Sequence, residues 1–197
     1  MKPEAKDLLQ KLNEMGGVAE NCISLLQTAF LYNKPQPVAE CRAAVAVQNR
    51  TVDDLTRKIT ELARENPDLR PYVSVPTHLL RIGENIEKLA EFIERKINDK
   101  ILFSDRAATE VTFLLQRLTD ILRPVSDLIL ARNSILGKYV QESESGVQRR
   151  AIDYTTQHEE RLIEGLCSPA VSSLYINILD RIKGIAWHAK EIAVKIA

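Results

Sequence analysis

The chain has 197 residues, 45% of them hydrophobic and only 5% aromatic, a composition that supplies a continuous core and favours long aliphatic helix interfaces over a sheet sandwich. Its 27 basic and 27 acidic residues cancel, so the global electrostatic footprint of a nucleic-acid binder is missing. No stretch approaches the ~20 apolar residues that span a bilayer, and no signal-peptide core follows the charged start Met1-Lys2-Pro3-Glu4, so the chain reads as cytoplasmic.

Apolar residues recur at helical spacing along nearly the whole sequence. The first segment carries Leu8, Leu12, Met15, Ala19, Cys22, Leu26 and Ala29, steps of four and three that make a heptad seam. Gly16 and Gly17 interrupt it, either for a close helix contact or as a bend. Pro35 and Pro37 end that helix and open the next, where Val38, Cys41, Val45, Gln48, Val52, Leu55, Ile59 and Leu62 share a face. Gln48 is its polar intruder. Pro67, Pro71 and Pro76 then break the chain.

A third helix is expected from about Pro76 to Ile97, with Leu79, Ile82, Ile86, Leu89 and Ile93 on one face. Ser104-Asp105 is an N-cap signal for a fourth, which carries Pro124 inside it and should kink there. A fifth is expected from near Gly137 to Leu162, and Ser168-Pro169 signals the start of a sixth. Pro71–Val75 is short and bracketed by prolines, so it is not a strand.

The expected fold is therefore all-α: six long antiparallel helices forming two tandem three-helix bundles, residues 1–100 and 101–197. An internal repeat supports this division. Arg81-Ile82 in the third helix recurs as Arg181-Ile182 in the sixth.

These residues resemble the PhoU family of phosphate-uptake regulators, whose signature is an acidic residue, then Arg-Ile-Gly-Asp, once per repeat. Arg81-Ile82-Gly83-Glu84 is similar to the first copy and Asp180-Arg181-Ile182 to the second; Asp68-Leu69-Arg70 matches another family segment. His158–Leu162 and Cys167-Ser168-Pro169 resemble the second half of PhoU-like domains attached to sodium–phosphate cotransporters. The resemblance implies a non-enzymatic regulator, peripheral to the inner membrane through a phosphate transporter and able to signal to a sensor kinase, and a homodimer is expected. Its alternatives are a cotransporter's soluble tail or a metal-binding helical bundle. Family members that bind iron or zinc use carboxylates four apart. Here Glu84 and Asp180 are the candidate metal ligands, but their partner positions hold Leu80 and Gly184, so each pair keeps one carboxylate.

Arg81 and Arg181 lie beside the core face, and their forked guanidinium groups suit inter-helix ion pairs, for instance with Asp68 or Asp153. Glu61/Glu65, Glu87/Glu91 and Glu160/Glu164 share helix faces and read as solvated surface. His158 falls on an apolar face as a satisfied core imidazole; His78, six residues before Glu84, does not share its face. Cys22, Cys41 and Cys167 show no zinc-ligand spacing, and the first two read as buried apolar residues. With no Gly-x-Ser-x-Gly, no cysteine near a credible base and no Gly-rich phosphate loop, catalysis finds no support.

Overall fold

The computed structural model describes residues 3–197; Met1 and Lys2, part of the charged start, lie outside the described residues. The chain is all-helical: α1 (Pro3–Tyr32), α2 (Gln36–Asn49), α3 (Val52–Glu65), a 3-10 turn (Pro67–Tyr72), α4 (Val75–Asn98), α5 (Asp105–Ala131), α6 (Ser134–Ile163) and α7 (Pro169–Ile196). The six expected segments are present, but the second is broken into α2 and α3. At the break the Thr51 amide and hydroxyl both donate to the Gln48 carbonyl, a tightened turn that ends the regular ladder. Asp53 and Asp54 then supply an acidic first turn for α3.

Caps set the remaining boundaries. Ser104 Oγ accepts from the Ala107 amide and Ser168 Oγ from the Val171 amide, as their sequence positions predict. α6 starts three residues before Gly137, because Asn133 Oδ1 accepts from the amides of both Ile135 and Leu136. Asn33 and Arg132 take left-handed φ values of 52° and 49° where α1 and α5 end. α5 continues through Pro124, which removes one amide donor without ending the helix.

α1 runs antiparallel to α5: the Phe30 ring meets Phe103 at one end, and Asn13 Nδ2 donates to the Ser126 carbonyl nearer the other. α4 runs antiparallel to α7 in the same manner, and α6 folds back on α7. The first and third helices of the N-terminal segment thus pair with their counterparts in the C-terminal one. A single apolar core results, to which every α-helix contributes. Leu12, Ile23, Leu26, Leu79, Ile82, Ile86, Leu114, Leu118, Ile178 and Ile182 are fully buried, each of such side chains stabilising by about 1.5–3 kcal/mol.

At Gly16 α1 and α5 approach closely. A Cβ there would overlap the Ser126 side chain, whose Cβ and backbone Cα lie 3.1 and 3.3 Å away. Gly17 faces open space. The first glycine is therefore the close contact, and α1 runs unbroken through both.

Candidate functional site

Among the polar groups that interrupt the apolar packing, two regions carry the candidate site residues. The first lies along the antiparallel crossing of α4 and α7 and contains both Arg-Ile copies. Ile82 and Ile182 are fully buried, which fixes the faces their neighbours occupy. Arg81 does not reach across to Asp68 or Asp153: its Nη1 donates to Glu84 on the same helix at 2.7 Å, an exposed pair worth at most about 1 kcal/mol. Arg181 donates instead to Asn85 Oδ1 at 3.4 Å, and its buried Nε has no hydrogen-bond partner among the described residues. Asn85 in turn donates to the Arg81 carbonyl at 2.8 Å. One amide side chain therefore links the two arginine copies.

The same asparagine accounts for Gly184. A Cβ at that position would stand 2.9 Å from Asn85 Oδ1 and 3.2 Å from its Cγ. A carboxylate at 184 would have to displace Asn85. Asp180 pairs with Lys183 at 2.8 Å, as Glu84 pairs with Arg81. Each candidate metal carboxylate thus has a basic partner on its own helix. Among the described residues, no group of three or more His, Cys, Asp or Glu side chains is assembled to hold a metal. Asp68 and Arg70 lie exposed on the 3-10 turn, where Asp68 rims a groove with Leu9, Tyr72 and Arg132.

Two turns along this crossing from Asn85, His78 Nδ1 and His188 Nδ1 stand 3.1 Å apart. Burial pushes both imidazoles below their ordinary pKa, and for His188 the neighbouring His78 adds to that push. Trp187 packs edge-on against His188, with ring centres 4.7 Å apart. His78 was assigned no role by its spacing along α4, since its partner lies 110 residues away.

The second polar region is buried between α5, α6 and α7. Arg161 Nη1 and Nη2 donate to the two oxygens of Glu110 at 2.9 and 2.8 Å, and Tyr175 Oη donates to Glu110 Oε2 at 2.5 Å. Burial favours protonation of Glu110, but Arg161 and Tyr175 outweigh it and hold the carboxyl below its ordinary range. His158 stacks on Tyr175 at 4.3 Å and is 1% exposed, the core imidazole that the apolar face predicts.

Cys167 corrects the expectation that no cysteine lies near a base: its Sγ is 3.8 Å from His158 Nε2 and 3.5 Å from Ser172 Oγ. Arg161 can only donate, and its Nη2 lies 3.4 Å from His158 Nδ1, a contact that favours the tautomer with the hydrogen on Nε2. In that tautomer Nε2 donates to Ser172 Oγ at 2.8 Å and has no lone pair with which to deprotonate serine or cysteine. A hydrolytic triad has a carboxylate where this site has a guanidinium.

No protein-family model matches the sequence, and no curated protein matches it. Among solved structures, PhoU from Pseudomonas aeruginosa superposes with a TM-score of 0.88, covering 98% of this chain and 95% of that one at 18% identity. The chain therefore has the PhoU-like all-α fold over essentially its whole length. Among its described residues no helix is long and apolar enough to cross a membrane.

Proposed function

We propose that this chain is a non-enzymatic, PhoU-like regulator of phosphate uptake, a homodimer that docks on the cytoplasmic face of a phosphate transporter and relays its state to a sensor kinase. The observation that carries this reading is the end-to-end agreement with the PhoU fold. The repeated Arg-Ile copies, linked through Asn85, support it.

Exposed apolar side chains offer a docking surface. Tyr32 ends α1, Leu102 precedes α5, and Ile163 and Leu166 lie at the α6–α7 turn, with exposures of 68%, 82%, 86% and 69%. The contacts of Phe30 with Phe103, Phe103 with Tyr175 and Tyr175 with His158 bring these segments to one end of the bundle. Tyr32, Leu102, Ile163 and Leu166 are the side chains assigned to the docking surface.

The test is co-purification of the full chain with phosphate-transporter subunits from its own cells, together with phosphate uptake in a deletion strain. Transporter capture that is lost in Leu102→Asp and Ile163→Asp, with altered uptake in the deletion, is the expected result. Unchanged uptake and no transporter capture would overturn the proposal. Light scattering checks the dimer.

A further inference from the structure

The α4–α7 crossing carries a second chemistry, separate from the repeated carboxylates. His78 and His188 come from different helices and bring like nitrogens, Nδ1 and Nδ1, to 3.1 Å. Two imidazole nitrogens at that distance share one proton, one donating and the other accepting. A metal ion that binds both nitrogens takes the place of that proton.

The spacing suits such an ion. Nitrogens about 2.0–2.1 Å from a metal stand about 3.3 Å apart at a tetrahedral angle and about 2.9 Å apart at a right angle. The observed separation lies between these values, and each ring has to turn so that the two Nδ1 lone pairs meet at one point instead of facing each other. Both rings are half-buried, and burial favours the neutral form that binds metal. Glu191 lies three residues beyond His188 on α7, near enough for its charge to act on both imidazoles. Its carboxylate is held by Lys190 at 2.7 Å in a largely covered pair, so Glu191 acts on the imidazoles through its charge and not as a ligand.

We propose that His78 and His188 form a two-histidine clamp for a borderline divalent transition-metal ion (zinc, nickel or copper(II)) that ties α4 to α7. The two imidazoles are the protein ligands, and water fills the remaining positions. Imidazole nitrogen selects these ions over magnesium and calcium, which prefer oxygen. The clamp is independent of the transporter reading.

The chain's single tryptophan is a built-in reporter, since Trp187 packs against His188. Titration of the full chain with copper(II), read by tryptophan emission, should give saturable quenching that chelator reverses and zinc competes away. His78→Gln and His188→Gln should each weaken binding by about tenfold or more, and Glu191→Gln by less. Glu84→Gln and Asp180→Asn should leave it unchanged. Electron paramagnetic resonance of the copper-loaded wild-type chain should show coupling to two imidazole nitrogens, a readout that needs no variant to fold. No saturable binding, binding that survives in the double histidine variant, or binding lost with Glu84 and Asp180 while the histidine variants retain it would each overturn the clamp.

Discussion

Arg161 on α6 holds Glu110 on α5 with both terminal nitrogens, and the side chains of this pair are only 12% and 6% exposed. Taking one charge from a buried pair strands the other, a loss of about 3–5 kcal/mol. Glu110→Ala should therefore lower stability by about that amount in urea unfolding. It also leaves Tyr175 Oη without its acceptor. The double replacement Glu110→Leu with Arg161→Met should recover much of the loss. A double variant as unstable as the sum of the singles would show that the pair is not the source.

Acid should weaken the fold in two stages. Burial first, and then the Arg161 charge, hold the His158 pKa below its ordinary value. An unfolded histidine takes up its proton near pH 6.5, so below that pH the unfolded chain binds more protons than the folded one. This contribution is complete above about pH 6.5 and is lost as pH falls through the folded value. His78 and His188 are shifted in the same direction and add to this stage. Glu110, held low by Arg161 and Tyr175 against the opposing effect of burial, contributes above about pH 4.3 and loses that contribution at lower pH. Urea midpoints measured from pH 7.5 to pH 3.5 should show both stages, with the first reduced in His158→Gln.

Neighbouring glycines should respond in opposite directions. Gly16→Ala drives a methyl group into Ser126 and its backbone and should cost about 1–3 kcal/mol. Gly17→Ala meets nothing and removes a flexible residue from a helix interior, so it should stabilise by up to about 1 kcal/mol. Thermal unfolding of the two variants decides the matter, and equal effects would contradict the assigned close approach.

Thiol labelling should separate the cysteines. Cys22 and Cys41 are fully buried, whereas Cys167 is partly exposed at the start of α7. A chromogenic disulfide reagent should label about one thiol in the native chain and all three after denaturation. Rapid native labelling of a Cys167→Ser variant would show that the α1–α2 packing opens readily.

Most helices were legible because their apolar residues keep step with the helical turn, and because Ser104 and Ser168 are caps at the predicted positions. The break between α2 and α3 was hidden: Val45, Gln48, Val52 and Leu55 are buried on both sides of it, so the stripe keeps its rhythm while the backbone ladder fails. The start of α6 lies before the expected Gly137 because Asn133 Oδ1 serves two amides. The Arg-Ile copies were visible, but their partners were not. Arg81 and Arg181 are served by Glu84 and Asn85, choices set by the crossing of two helices. The histidine pair follows from that register: seven residues back from Asn85 is His78, and seven forward from Arg181 is His188. One contact would have given the other, but no local pattern gives the first.

The pairing of α1 with α5 bears on how the chain is made. At about 5–20 residues per second, a ribosome needs about 5–20 s to extend the chain from the end of α1 at residue 32 to the end of α5 at residue 131. Through that interval the surface around Gly16 has no Ser126 to close upon. The emerging N-terminal helices hold an unfinished apolar seam in solution, which makes nascent chains halted before residue 105 targets for holding chaperones.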